Sequence, residues 1–409
     1  MVLTIRSVPL GSFVILAAMT HPAFAQQLDR ATPLLQTPSE YEARPVQLGN
    51  VSAYLGVDAR LEYDSNIYAL PSNEIDDERL TISPWVNLQL TSDNLQLSAE
   101  GRALIRRYFE TTSENTESGN ASIGAVYKLS SSGTLTGRAG WTRLVEQRGE
   151  PESETTPGGP PRRYNQWLGE LGYTHQGARF TAGIKGTALK NDALPAIDAE
   201  RDFSQYSGSA RLGYRVSGNM HVFGEGFFSS RDFRLATDSS GVDRDSRTYG
   251  ARAGISLDPG GLIRGEAGVG IFRFNPADPN LDSRNGLSIS GSLTYTPSER
   301  WAVTLDAFRG DVATVQNGAQ SRTDTRLQLG VQNEIYHNLR WMAAAIYRRS
   351  SFIGSGRHER TLAGVAEVEY LMSRNISVAV TGRVANRDST DPVDDFDRAI
   401  LGLELRLQY

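Results

Sequence analysis

The chain has 409 residues, with 42 Lys or Arg against 47 Asp or Glu and a formal net charge of −5. No block of basic residues stands out, so we expect no nucleic-acid partner. The absence of cysteine excludes a disulfide framework, and stability must come from burial or from closed backbone pairing. The length suits two or three ordinary domains or one large barrel.

The first 25 residues have the pattern of a secretory signal. Arg6 precedes an apolar stretch over residues 8–19, and Ala23-Phe24-Ala25 provides a small-residue cleavage site. This stretch is shorter than the roughly 20 apolar residues that a membrane helix needs, and no other run approaches that length. Residues 26–50 have no periodicity and contain several prolines and glutamines. We therefore expect a flexible periplasmic lead-in there.

From residue 51 to residue 409, apolar and polar residues alternate with the period of a β-strand. We count about eighteen such segments, and clear examples cover 51–63, 80–90 and 287–295. The last segment alternates without a fault, with one face formed by Leu401, Leu403, Leu405, Leu407 and Tyr409. An apolar strand that ends on an aromatic residue resembles the targeting signature of outer-membrane barrels. The barrel-assembly machinery is therefore an expected partner of residues 401–409.

The connections between these segments alternate in length. Short turns of Gly, Pro, Asn, Asp and Ser lie at 93–94, 130–133, 176–177, 217–219, 258–261, 297–300, 336–338 and 372–375. Longer polar stretches lie at 65–77, 147–162, 189–201, 235–245, 276–284, 314–322 and 388–395. This alternation is typical of an up-and-down meander with both termini in the periplasm.

The predicted fold class is therefore all-β: a transmembrane antiparallel up-and-down β-barrel over residues 51–409, integral to the bacterial outer membrane. We predict about 18 strands, with 16 as the alternative. The segments 202–216 and 220–233 are the least regular, because Phe203, Phe223 and Phe227 disturb the alternation. Lipid and lipopolysaccharide of the outer membrane are expected partners.

If the apolar side of each strand faces lipid, the opposite side lines the lumen. The predicted lumen-lining residues are Arg60, Arg102, Arg106, Arg138, Arg211, Arg252, Arg264, Arg326, Arg383, Arg406, Glu100, Glu170, Glu266, Glu334, Glu367 and Glu404. So many charges require water or pairing, because an unpaired ion in a dry interior costs several kcal/mol or more. They either form ladders that stiffen a narrow barrel or line an aqueous pore whose selectivity they tune.

The sequence gives little support for other chemistry. Of the histidines after residue 25, His175, His221 and His337 lie at or beside predicted turns. No Ser or carboxylate lies near them at a spacing that would indicate a catalytic site. We predict no catalytic residue and no cofactor. Acidic residues at 391–397 and 74–78 could hold calcium, but we expect them to be solvated. Tryptophans and tyrosines such as Trp141 are expected in girdles at the lipid interfaces.

Three short motifs carry a resemblance to a known family. They are Tyr63-Asp64-Ser65-Asn66-Ile67-Tyr68, Ser83-Pro84-Trp85-Val86 and Glu146-Gln147-Arg148-Gly149-Glu150-Pro151. Together they resemble the beta-barrel porin 2 family over nearly the whole chain after the signal. The resemblance implies an outer-membrane barrel, and some members lie with exopolysaccharide export systems. It implies no catalytic residues.

Three functions remain open from the sequence. The first is a channel for passive passage of small hydrophilic solutes, not an enzyme. The second is an outer-membrane component of exopolysaccharide secretion, with polysaccharide export proteins as partners. The third is a structural barrel that conducts nothing. When every inward position of the alternation is counted, thirteen cationic and eleven anionic side chains lie on the predicted lumen face, so a channel should show at most a modest anion preference.

Overall fold

The computed structural model describes residues 35, 37–151, 153, 159–194, 196–257, 260–316 and 318–409. The expected signal segment lies outside these residues. The described residues form one antiparallel β-sheet and three short 3-10 turns, Thr112–Glu114, Ala196–Arg201 and Pro392–Asp394. No helix in the described part of the chain is long and apolar enough to cross a membrane.

Eighteen long strands follow one short strand. The short strand is β1 (Val46–Leu48). The long strands are β2 (Val51–Asp64), β3 (Asp77–Thr91), β4 (Leu95–Tyr108), β5 (Thr116–Lys128), β6 (Gly133–Val145), β7 (Arg163–Gln176), β8 (Phe180–Ala193), β9 (Phe203–Arg215), β10 (Met220–Phe233), β11 (Ser246–Leu257), β12 (Ile263–Pro276), β13 (Arg284–Ser298), β14 (Trp301–Val312), β15 (Ser321–Tyr336), β16 (Leu339–Ile353), β17 (His358–Leu371), β18 (Ile376–Ser389) and β19 (Phe396–Gln408).

The long strands close into a barrel. Each pairs with its neighbours in sequence, and β19 pairs with β2 from Ile400 opposite Asp64 to Gln408 opposite Gly56. Because β19 pairs with β2, the eighteen long strands in the described part of the chain form a closed ring, in which each strand has a neighbour on both sides. The predicted 18-strand antiparallel barrel is confirmed, and the 16-strand alternative is not needed. The two segments with disturbed alternation form β9 and β10, which pair regularly up to Phe203 opposite Phe233.

Part of the segment that we expected to be a flexible lead-in is ordered as β1. It pairs with the beginning of β2, with Val46 opposite Ala53 and Leu48 opposite Val51. The physical reason is that β19 reaches only part of β2: its last backbone hydrogen bonds join Tyr409 to Leu55. The first residues of β2 would otherwise lack a partner on that side, and β1 supplies their hydrogen bonds.

The two ends of the barrel differ. At one end, which we call the turn end, two to five residues connect successive strands, as between β13 and β14. At the other end, the loop end, the connections include 65–76, 146–162, 194–202 and 234–245. The connection between β16 and β17 is an exception, with residues 354–357 only. Both β1 and the end of β19 lie at the turn end.

The outer face of the barrel is apolar. Leu401, Leu403 and Leu405 of β19 all project outward and are exposed, as in the lipid-facing surface of a membrane barrel. Tryptophans lie in pairs on this face: the rings of Trp141 and Trp167 are 6.3 Å apart, and those of Trp301 and Trp341 are 6.1 Å apart. The polar face of each strand is thus left for the interior.

Candidate channel lumen

The strand register defines the inner face, because residues opposite one another in a ladder point to the same side. Arg211 of β9 reaches Glu266 of β12, three strands away, so this face is the concave one. The structure places all sixteen sequence-predicted lumen residues on this face: Arg60, Arg102, Arg106, Arg138, Arg211, Arg252, Arg264, Arg326, Arg383, Arg406, Glu100, Glu170, Glu266, Glu334, Glu367 and Glu404.

Many of these charges are paired. Arg60 and Arg406 both contact Glu404 at 2.9 Å, and Arg406 also contacts Glu369 at 2.6 Å, which links β2, β19 and β17. Further contacts on this face are Arg102–Asp58 (2.8 Å), Lys185–Glu170 (2.6 Å), Arg211–Glu266 (2.8 Å), Arg252–Glu225 (2.6 Å), Arg326–Asp324 (2.9 Å) and Arg406–Glu367 (2.9 Å). Both features of the sequence interpretation, ladders and a polar lining, are therefore present together.

Other charges on the inner face are open to water. Arg138 of β6 and Glu100 of β4 are exposed, and Arg264 and Arg383 are partly exposed. Residues on the inner face of a solidly packed barrel would be buried. The interior therefore contains water-accessible space beside its charged groups.

Residues 146–151, which follow β6, fold into the lumen at the loop end. Glu150 accepts a hydrogen bond from Arg348 of β16 at 2.7 Å. The carbonyl oxygens of Arg148 and Gly149 accept hydrogen bonds from Arg398 of β19 and Arg387 of β18. Because β6 and β16 are at least eight strands apart in either direction, the loop crosses the lumen. We call residues 147–151 the crossing loop.

Tight packing fixes the crossing loop. Gly149 has a φ of +84°, and a Cβ there would lie 3.0 Å from the side chains of Ala69 and Phe396. Arg148 contacts Glu114 at 2.8 Å, and its guanidinium lies 5.6 Å from the centre of the Tyr68 ring. Two of the motifs that carry the family resemblance, 63–68 and 146–151, therefore meet in space.

A buried carboxylate organises the wall that receives the crossing loop. Asp324 of β15 is 0% exposed. It contacts Arg322 at 2.8 Å, Arg326 at 2.9 Å and Arg348 at 3.0 Å, and it accepts a hydrogen bond from Ser350 at 2.9 Å. We call these five residues the Asp324 cluster.

The Asp324 cluster is cationic overall, and this acts on Glu150. Burial by itself raises the pKa of Glu150, but the nearby guanidinium groups of Arg348, Arg387 and Arg383 outweigh it and hold that pKa below its ordinary value. Glu150 is therefore ionised at neutral pH and is attracted to the wall. This attraction helps to hold the crossing loop against Arg348 of β16.

A second loop enters from the opposite side. Ala313 and Val315, between β14 and β15, pack against a buried apolar cluster of Leu189, Phe203 and Phe233 on β8, β9 and β10. The backbone N–H of Gly318 donates to Asp238 of the β10–β11 loop at 3.1 Å. The loop end is thus narrowed by two segments that approach from different walls.

The phenylalanines that disturbed the sequence pattern lie on the inner face. Phe223 covers Gly254 of the next strand, where an added Cβ would lie 2.7 Å from its ring. Arg211 lies 3.5 Å above the Phe223 ring, a cation–π contact. Phe227 is placed in the same way over Gly250, with Arg252 at 4.7 Å. These rings lie flat on the wall, so they do not project into the lumen.

Small residues leave room beside the charged wall. The inner faces of β5 to β9 and β12 to β15 carry Asn120, Ser122, Thr136, Gly172, Thr187, Ser207, Ser209, Gly268, Ser290, Ser292, Thr304 and Gly330. Short side chains occupy little of the cross-section, and their hydroxyl and amide groups can hydrogen-bond to water.

The acidic loops have protein partners. Asp77 accepts a hydrogen bond from the N–H of Thr111 at 2.7 Å, Asp394 contacts Arg357 at 2.9 Å, and Asp395 accepts from the N–H of Ser389 at 2.6 Å. Within the described ranges no group of three or more His, Asp or Glu is placed to hold a metal ion. These carboxylates fix loop backbone and pair with arginine.

We call the narrowed loop end, formed by the crossing loop, the β14–β15 loop and the wall that they contact, the constriction. Several of its residues were not identified from the sequence. Asp324, Arg387 and Arg398 share the inner parity of Arg326, Arg383 and Arg406, so strict alternation could have identified them. Glu150 lies in a loop, and no periodicity predicts its contact with Arg348. Loop insertion depends on packing between distant parts of the chain, which local pattern does not encode.

A closed 18-strand barrel with an apolar outer face and a charged inner face is a porin-like outer-membrane β-barrel. Residues 38–409 match the family described as Putative beta-barrel porin 2, and the chain belongs to this family. The resemblance inferred from the three motifs is confirmed. No curated protein matches the chain.

Solved structures that are similar to this chain include an outer-membrane protein and an iron transporter. OccK2 (OpdF) of Pseudomonas aeruginosa is 13% identical, with a TM-score of 0.46 over 88% of this chain and 98% of that one. OpdK of the same organism is 13% identical, with a TM-score of 0.43 over 88% and 99%. The FrpB iron transporter of Neisseria meningitidis is 8% identical, with a TM-score of 0.43 over 87% and 81%. Similarity at this level identifies no solute.

Proposed function

We propose that the protein is a channel for the passive passage of small hydrophilic solutes across the outer membrane. The observation that carries the proposal is the water-accessible polar inner face, where exposed Arg138 and Glu100 lie beside walls of Ser, Thr and Gly. A hydrated lining of this kind lowers the cost of moving a polar solute through the barrel. The proposal places the loops outside the cell and both termini in the periplasm, and it includes no catalytic step.

The proposed channel is narrow. The crossing loop and the β14–β15 loop both enter the loop end, so the free cross-section is smaller than that of the strand barrel. This favours small solutes over a polysaccharide chain as cargo. The same loops favour a second candidate, a structural barrel that conducts nothing, if they close the lumen completely.

Conductance in planar bilayers tests the proposal. We expect discrete channel steps from the refolded protein and, in a gradient of potassium chloride, a modest anion preference that falls as salt rises, because charges beyond roughly 8 Å are screened near physiological salt. Arg138→Glu should shift the reversal potential toward cation preference. Arg360→Glu, on the outer side of the loop end, is the matched control and should leave it unchanged. Absence of conductance would refute the channel in favour of the structural barrel.

A further inference from the structure

A second feature of the interior is a cavity at the turn end, apart from the constriction. It has a volume of about 350 Å³ and lies between the barrel wall and residues 37–41 of the lead-in. This volume is at the lower end of the roughly 300–1,000 Å³ range of small-molecule sites. Arg340 of β16 donates a hydrogen bond to Thr37 at 3.4 Å, which holds the lead-in over the cavity.

An aromatic platform forms one wall of the cavity. Trp85 of β3 covers Gly56 of β2, where an added Cβ would lie 2.4 Å from both Cε2 and Cζ2 of the indole. One ring face therefore rests on the glycine, and the side chain lines the cavity. Tyr41 of the lead-in contributes a second aromatic ring to the lining. Gly56 is required here because any side chain would push the indole off the wall.

Hydrogen-bonding groups surround the platform. Asn87, Asn120 and Gln408 offer amide donors and acceptors, and Glu100 is an exposed acceptor. Adjacent donors and acceptors next to an aromatic face suit a ligand with C–H groups on one side and hydroxyls around its edge. The partly positive C–H groups pack on the negative face of the indole, and the hydroxyls bond to the amides and the carboxylate.

The charged groups of the cavity favour neutral ligands of this kind over negatively charged ones. Its lining has three carboxylates and three guanidinium groups, Asp58, Glu100, Glu369, Arg102, Arg340 and Arg406. Asp58 pairs with Arg102 at 2.8 Å, and Glu369 contacts both Arg340 and Arg406 at 2.6 Å. The arginines are therefore satisfied, while Glu100 is open to solvent. A negatively charged ligand would be repelled by Glu100 and would find the cations already neutralised.

We propose that this cavity is a binding site for the pyranose ring of a neutral saccharide, with Trp85 as its stacking platform and Glu100 as a hydroxyl acceptor. This inference rests on the proposed channel function, since it names the solute class that the lumen takes. The site lies at the turn end, on the route from the constriction to the turn-end mouth.

Calorimetric titration of the full-length protein in detergent micelles tests the site. The probes are maltotriose and cellotriose as neutral saccharides and trigalacturonate as an acidic one. We expect saturable binding of at least one neutral probe and weaker binding of the acidic one. Trp85→Leu should weaken binding at least tenfold, and Glu100→Gln should weaken it severalfold. The control Trp167→Leu, on the outer face, should bind as the wild type does. Heat-modifiable migration of each variant verifies that the barrel has folded.

A spectroscopic readout is independent of the calorimetry. Trp85 is on the inner face, whereas the other four of the chain's five tryptophans, Trp141, Trp167, Trp301 and Trp341, are on the outer face. A bound saccharide should protect Trp85 from acrylamide quenching, and this protection should be absent in Trp85→Phe.

The outcomes separate the two proposals. Wild-type affinity in Trp85→Leu, tighter binding of trigalacturonate, or no binding of either neutral probe would each overturn the saccharide site. Saccharide binding without bilayer conductance would support the site and overturn the channel. Conductance without binding would overturn the site alone.

Discussion

Replacing Asp324 by Asn should destabilise the barrel strongly. Asp324 is 0% exposed and is the shared partner of Arg322, Arg326 and Arg348. Asparagine keeps the shape of the side chain but removes its negative charge. The three guanidinium groups then repel one another without the carboxylate that neutralises part of their charge. Removal of one partner from a buried ion pair costs about 3–5 kcal/mol. Arg348 keeps its contact with Glu150, and the amide oxygen still accepts one hydrogen bond, so we expect a loss near the lower end of that range.

The assay is urea unfolding of the protein refolded in lipid vesicles, followed by tryptophan fluorescence. The matched control is Asp388→Asn, because Asp388 pairs with Arg360 on the outer side, where the side chains are 53% and 57% exposed. Exposed ion pairs contribute about 0–1 kcal/mol, so the control should unfold almost like the wild type. If Asp324→Asn lost no more stability than Asp388→Asn, the Asp324 cluster would be hydrated, and burial would not make its ion pairs important for stability.

Three further predictions concern assembly and the crossing loop. Deletion of residues 401–409 should abolish heat-modifiable barrel in the outer membrane, since β2 and β18 would lose their shared partner strand; normal assembly would contradict this. Glu150→Gln should weaken the contact with Arg348 and raise both conductance and anion preference. The control Glu74→Gln, on an exposed loop, should change neither property. Unchanged conductance in Glu150→Gln would mean that backbone contacts alone hold the crossing loop. Because the pKa of Glu150 is lowered in the folded protein, its stabilising contribution is present above the ordinary glutamate pKa of about 4.3 and is lost as pH falls through the lowered value. Wild-type conductance should therefore be constant between pH 5 and pH 8, and a rise in conductance within that window would refute the assignment.

The architecture could be predicted from sequence because each strand carries its own signal. Alternation with a period of two assigns Leu403 to lipid and Glu404 to the lumen without knowledge of any other strand. The same rule worked even where Phe223 and Phe227 disturbed it, since these rings belong to the inner face and lie over glycines. The strand number followed from counting such segments.

The constriction could not be predicted in the same way. The contact of Glu150 with Arg348 joins residues 198 positions apart, and its formation depends on the packing of Gly149 against Ala69 and Phe396. No local pattern specifies that a polar loop turns inward and not outward. The lead-in is a similar case, because β1 forms only where the end of β19 leaves part of β2 without a partner.

The pairing of charges in the lumen also affects which residues should determine ion selectivity. A count of lumen residues treats every arginine as equally available, but Arg326, Arg348 and Arg406 are held by Asp324, Glu150, Glu367, Glu369 and Glu404. A paired charge presents a dipole to a passing ion, and its field falls off faster with distance than that of a single charge. The crossing loop also covers part of this wall, while the small residues of β5 to β7 leave open the opposite wall around Arg138. Ions should therefore pass beside the open wall, where exposed Arg138 acts on them most directly. Selectivity should then depend on a few exposed side chains and not on the total number of charges in the lumen.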